Sequence, residues 1–83
     1  MGITFKLYAG LSQYLPPTAH RNAATLELQA EETVEQFIDR QNVPRAEVHI
    51  VLVNGRHLEG PERERHILKE GDTLAIWPPV AGG

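Results

Sequence analysis

Apolar and polar residues alternate one for one in ITFKLYA near the start of the chain. Ile3, Phe5 and Leu7 fall on one face, and Thr4, Lys6 and Tyr8 on the other. That period of two predicts a half-buried strand. TLELQ repeats the pattern, with Leu26 and Leu28 inward and Thr25, Glu27 and Gln29 outward. Between the two lies GLSQYLPPTAHRN, too long for a tight hairpin, with Pro16 and Pro17 blocking strand continuation. Leu11, Tyr14 and Leu15 are expected to form a helical turn over the edge of the core.

The period then changes. Val34, Phe37, Ile38 and Gln41 follow helical spacing, leaving Glu35, Asp39 and Arg40 to solvent. Thr33 with Gln36 three residues on reads as a capping box, and Pro44 is expected to end the helix. In VHIVLVNG the alternation fails. Val48, Ile50 and Leu52 form one face that could meet the helix, yet Val51 and Val53 on the opposite face are apolar too. One helix covers one face of a sheet, so the second face is expected to carry an exposed apolar patch of the kind that marks a partner site.

Asn54-Gly55 is a hairpin-turn dipeptide leading to a short strand at Arg56–Leu58. EGPERERHILKEGD reads as a solvated loop, anchored by Ile67 and Leu68 and closed by a turn at Gly71-Asp72. In TLAIW, Leu74 and Ile76 point inward and Thr73, Ala75 and Trp77 outward. The strand after the helix is expected to cross over to a parallel neighbour, and the last strand to pair with the first at the sheet centre. The expected class is α+β: a β-grasp, with a mixed sheet of four or five strands packed on one main helix.

Eighty-three residues make one domain, and a formal charge of −3 gives no basic stripe for nucleic acid. No apolar run approaches the roughly 20 residues a membrane helix needs, and the start MGITFK lacks the regions of a signal peptide. With no cysteine, disulfides and thiolate chemistry are excluded. The expectation is a cytoplasmic protein with neither membrane nor nucleic acid as partner. His20, His49, His57 and His66 lack metal-ligand spacing, and no catalytic triad or phosphate loop is legible.

The ending PPVAGG is different. Residues 1–77 read as the folded domain and 78–83 as an extended tail. Pro78 and Pro79 favour polyproline II geometry, which projects the segment roughly 15–20 Å. Val80 offers a grip for a groove, while Ala81, Gly82 and Gly83 thin the chain until it passes a channel too narrow for side chains. A carboxylate on such a stem becomes an electrophile once ATP converts it to an acyl-adenylate.

EGDTLAIWPPVAGG, with YAGL after the first strand and VLVNG in the middle, resembles the MoaD/ThiS family of ubiquitin-like sulfur carriers. Within it, PPVAGG is most similar to the small subunit of molybdopterin synthase. The resemblance spans essentially the whole chain. It implies that Gly83 is adenylated and then thiocarboxylated, with Gly82 its slender neighbour. Val80 and Ala81 belong to the inserted tail, and Pro79, Pro78 and Trp77 to the partner contact. Trp77 stands where a phenylalanine is common.

The implied partners are an E1-like adenylyltransferase using ATP and Mg, a sulfur donor enzyme, and the large synthase subunit. The last of these passes the sulfur to cyclic pyranopterin monophosphate. The chain is then a co-substrate with no bound cofactor and no catalytic residue of its own. A carrier for thiamine or another pathway, a modifier forming isopeptide bonds, and a plain interaction module remain open alternatives.

Overall fold

The first and last strands pair in parallel, and the rest of the sheet is built outward from them. The computed structural model describes residues 2–79. It places β1 at Gly2–Leu7, β2 at Ala23–Glu27, α1 at Val34–Arg40, β3 at Ile50–Val53, β4 at Arg56–His57, α2 at Gly60–Arg65 and β5 at Thr73–Trp77. The sheet order is β2-β1-β5-β3-β4, with β1 and β5 parallel and every other pairing antiparallel. This is the expected β-grasp: a mixed five-stranded sheet with α1 against one face.

Register decides which side chains meet the helix. Phe5 lies opposite Leu74, and Leu7 opposite Ile76. On the far side of β5, Leu74 meets Val53 and Ile76 meets Val51. Directly opposed residues share a face, so these six side chains form one buried layer. Phe37 of α1 packs edge-on to Phe5, with ring centroids 5.0 Å apart.

The assignment of faces on β3 is therefore corrected. Val51 and Val53 are buried under the helix, whereas Ile50 is 37% exposed and Leu52 half-buried on the outer face. Both faces of β3 are apolar, so its sequence alone leaves the choice open. Its register with β5 settles it. The apolar outer patch exists, but Ile50 and Leu52 carry it.

The crossover is corrected too. β3 runs in the same sense as β2 but is not its neighbour, because β1 and β5 lie between them. The local signals on α1 hold. Thr33 Oγ1 accepts from the Gln36 N–H at 3.2 Å, and Gln36 Oε1 accepts from the Thr33 N–H at 3.0 Å, which is the capping box. Termination comes before Pro44: the helix stops at Arg40, and Asn42 takes a left-handed φ of 62°.

Three further expectations change. The stretch after β4 contains α2 where a loop was expected. Pro61 stands in the first turn of α2, and Glu62 Oε1 accepts from the Glu59 N–H at 3.0 Å. Leu68 is buried as an anchor, but Ile67 is 42% exposed, since neighbours in extended chain point to opposite sides. Arg40 is not merely solvated. It makes a two-toothed ion pair with the buried Glu32, at 2.7 and 2.9 Å, and lies over the Phe37 ring.

Candidate functional site: the tail root and the outer face of the sheet

Trp77 is the last residue of β5, and its backbone is held from both sides. The His49 N–H donates to the Trp77 carbonyl at 3.0 Å, and one residue earlier the Tyr8 N–H donates to the Ile76 carbonyl at 3.2 Å. Because β1 and β5 are parallel and in register, the residues next after Leu7 and Ile76 emerge together on the outer face. Tyr8 and Trp77 stack there, with centroids 4.4 Å apart and planes 8° from parallel. A stack of this kind contributes about 0.5–1.5 kcal/mol beyond its area.

Pro78 comes next, half-buried, and then Pro79, exposed. Neither has an N–H to extend the ladder, so the sheet stops and the tail begins from a fixed point. Of the expected site residues, Trp77, Pro78 and Pro79 thus stand together at the C-terminal end of the central strand, with Trp77 stacked on Tyr8. Val80, Ala81, Gly82 and Gly83 lie outside the described residues.

Beside the tail root runs a shallow groove of about 530 Å³, lined by His49, Ile50, Leu52, His57, Glu59 and Arg63. β3 floors it with Ile50 and Leu52, and α2 supplies Arg63. That guanidinium donates to two backbone carbonyls, Leu58 O at 3.3 Å and His49 O at 3.1 Å. Glu59 lies 3.6 Å from the His57 Nδ1.

The carboxyls with lowered values are engaged in ion pairs and helix caps. The Arg40 guanidinium holds the Glu32 carboxyl below its usual range. Arg45 does the same for Asp39, and the backbone N–H of Glu59 for Glu62. These are ion pairs and caps that fasten α1 and α2. Among the described residues, no group of three or more His, Asp or Glu side chains is placed to hold a metal ion. Nor is any described helix long and apolar enough to cross a membrane.

Sequence reasoning missed Tyr8, His49 and Arg63. For Tyr8 a signal was present: parallel pairing of the first and last strands brings the residues just after each of them together.

The family model described as Mut7-C ubiquitin matches residues 1–82. The chain belongs to that family. No curated protein matches the sequence significantly. Among solved structures, this Mut7-C ubiquitin domain is similar to SAMP1 from Haloferax volcanii, with 25% identity, full coverage of both chains and a TM-score of 0.69. A chain from Pyrococcus furiosus described as molybdopterin converting factor subunit 1 shares 20% identity over 95% of this chain and 98% of its own, at a TM-score of 0.65. A chain from the complex of subunits 1 and 2 of molybdopterin-converting factor from Helicobacter pylori shares 16% identity, with full coverage of both chains and a TM-score of 0.58. These likenesses bear out the ubiquitin-like fold and the resemblance to the MoaD/ThiS family.

Proposed function

We propose that this Mut7-C ubiquitin domain is a sulfur carrier, its Gly83 carboxyl adenylated and then thiocarboxylated to serve molybdopterin synthesis as the small subunit of the synthase. The observation that carries the reading is the tail root. Trp77 is fixed by the His49 hydrogen bond and the Tyr8 stack, and Pro78-Pro79 then lead the chain off the end of the central strand. A rigid body with a stiff exit presents a slender carboxylate to an enzyme without itself supplying catalysis.

The chemistry divides among partners. An E1-like adenylyltransferase with Mg and ATP joins the Gly83 carboxylate to the α-phosphate and releases pyrophosphate. A persulfide on a sulfur donor enzyme then attacks the acyl carbon and displaces AMP. A second thiol reduces the resulting acyl disulfide, forming a disulfide with the donor and leaving a terminal thiocarboxylate on Gly83. The large synthase subunit would take the sulfur, and the Helicobacter pylori neighbour, solved as a complex of subunits 1 and 2, supports a partner of that kind. The scheme requires a free α-carboxylate on Gly83. Intact-mass analysis of the native protein, before and after incubation with ATP, a sulfur source and the activating enzyme, tests both points. Replacement of one oxygen by sulfur is the expected result.

A second reading is favoured by the family, which is described as a ubiquitin. In it a lysine amine of a target protein displaces AMP and forms an isopeptide bond. Conjugates of higher mass carrying Gly83 on lysine, in place of a thiocarboxylate, would select it.

A further inference from the structure

We propose that Asn54 is a deamidation site that Asp72 keeps locked, and that its conversion to aspartate or isoaspartate opens the corner where the β3–β4 turn joins the start of β5.

The sequence supplies the reactive pair. The chain has three asparagines, followed by Ala23, Val43 and Gly55. Deamidation begins when the backbone nitrogen of the next residue reaches the asparagine side chain, and a glycine there puts no Cβ in the way. Asn54-Gly55 is the pair with that freedom. It forms the two-residue turn of the β3–β4 hairpin, with positive φ at both positions, 51° and 84°. Both residues are exposed, so water reaches them.

The fold supplies the lock. The Asn54 amide is engaged at both ends: Nδ2 donates to Asp72 Oδ1 at 2.9 Å, and Oδ1 accepts from the Thr73 N–H at 2.8 Å. Asp72 is itself fixed, because its Oδ2 accepts from the Lys69 N–H at 2.8 Å and its carbonyl from the Thr4 N–H at 2.9 Å. The Asn54 side chain is thus tied to the start of β5, and its Cγ is released towards the Gly55 nitrogen when these bonds open. Among the described residues the Gly55 N–H has no hydrogen-bond partner. The nucleophile is free and the electrophile is held.

Once released, the pair reacts in two steps. The Gly55 nitrogen attacks Asn54 Cγ and gives its proton to solvent, while the Cγ–Nδ2 bond breaks and ammonia leaves. Water then opens the succinimide at one of its two carbonyls. Attack at Cγ restores the Gly55 peptide bond and leaves aspartate; attack at the main-chain carbonyl leaves isoaspartate. Aspartate sets a carboxylate against Asp72 where a donor had been, and like charges at that distance repel. Isoaspartate adds a carbon to the main chain inside a two-residue turn. Neither product restores the lock. Val53 pairs with Leu74 at this end of β5 and Ile50 with Trp77 at the other, so the site is separate from the tail root. The inference stands whether or not Gly83 carries sulfur.

The test incubates the full chain in mildly alkaline buffer, folded and in urea, and follows each asparagine by peptide mapping. In urea, Asn54 should convert ahead of Asn22 and Asn42; in the folded wild type it should convert at least about tenfold more slowly. Asp72→Ala should raise the folded rate about tenfold, the factor expected for one lost hydrogen bond to a charged acceptor. If that variant fails to fold, the comparison with urea decides for the lock. Asn54→Asp, which stands for the product, should lower Tm by roughly 4–8 °C, and adding Asp72→Asn, which restores a donor facing the new carboxylate, should recover most of the loss. Equal rates with and without urea would overturn the lock. Conversion led by Asn22 or Asn42 in urea would overturn the site. An Asn54→Asp chain that melts with wild type, or that Asp72→Asn does not rescue, would overturn the opening of the corner.

Discussion

Leu74 and Trp77 sit three residues apart on one strand and face opposite sides, which makes them a direct test of the assigned faces. Leu74 is fully buried between Phe5 on β1 and Val53 on β3. Truncation to alanine removes three carbons from a layer that the flanking strands keep from collapsing, so Leu74→Ala should cost about 2–5 kcal/mol. In a domain of this size each kcal/mol moves Tm by roughly 4–8 °C, so the melt should drop by some 10 °C or more. Trp77 is half-buried on the outer face and packs chiefly on Tyr8. Its loss removes one stack and part of an apolar surface, about 1–2 kcal/mol.

Thermal and urea melts monitored by far-ultraviolet circular dichroism give both values. Trp77→Ala should be the milder change in stability and the stronger in partner binding. If Trp77→Ala proved as destabilising as Leu74→Ala, the sheet would be facing the wrong way in this account. The tail root would then be part of the core.

The ion pair and the helix cap lead to other expectations. Arg40→Ala strands the buried Glu32 carboxylate and should cost about 1–3 kcal/mol in urea melts at neutral pH. Because Glu32 has a lowered folded-state value, its contribution is fully present above the ordinary carboxylate value of 4.5 and fades as pH falls through the lowered one. The wild type should therefore lose stability more steeply than Arg40→Ala on acidification below about pH 4.5. Thr33→Ala breaks the capping box and should cost about 1 kcal/mol, with binding to partners unchanged. Tyr8→Leu should shift the emission of Trp77, the only tryptophan in the chain, with a small effect on Tm.

Where one face was polar, the sequence was readable. The alternation of β1 and the helical stripe of α1 each name a single buried side, and the Thr33–Gln36 box is a local device that depends on nothing distant. β3 was ambiguous because it is apolar on both faces, and only its pairing with β5 fixes which side meets the helix. α2 was hidden for a different reason. It has no apolar stripe, and its start is marked only by the Glu59–Glu62 cap and Pro61.

At the site, Trp77, Pro78 and Pro79 were legible as a tail root from their order alone. Tyr8 and Arg63 were not, since each reaches the site through contacts distant in sequence: Tyr8 with Trp77, and Arg63 with the His49 carbonyl. Such contacts are products of topology.

The central claim is chemical, and one measurement reaches it most directly: the intact mass of the native chain after incubation with Mg-ATP, a sulfur source and an activating enzyme shown to be active. The account predicts one oxygen exchanged for sulfur, localised by fragmentation to Gly83. An unchanged mass, or a chain in which Gly83 bears no free carboxyl group, would contradict it.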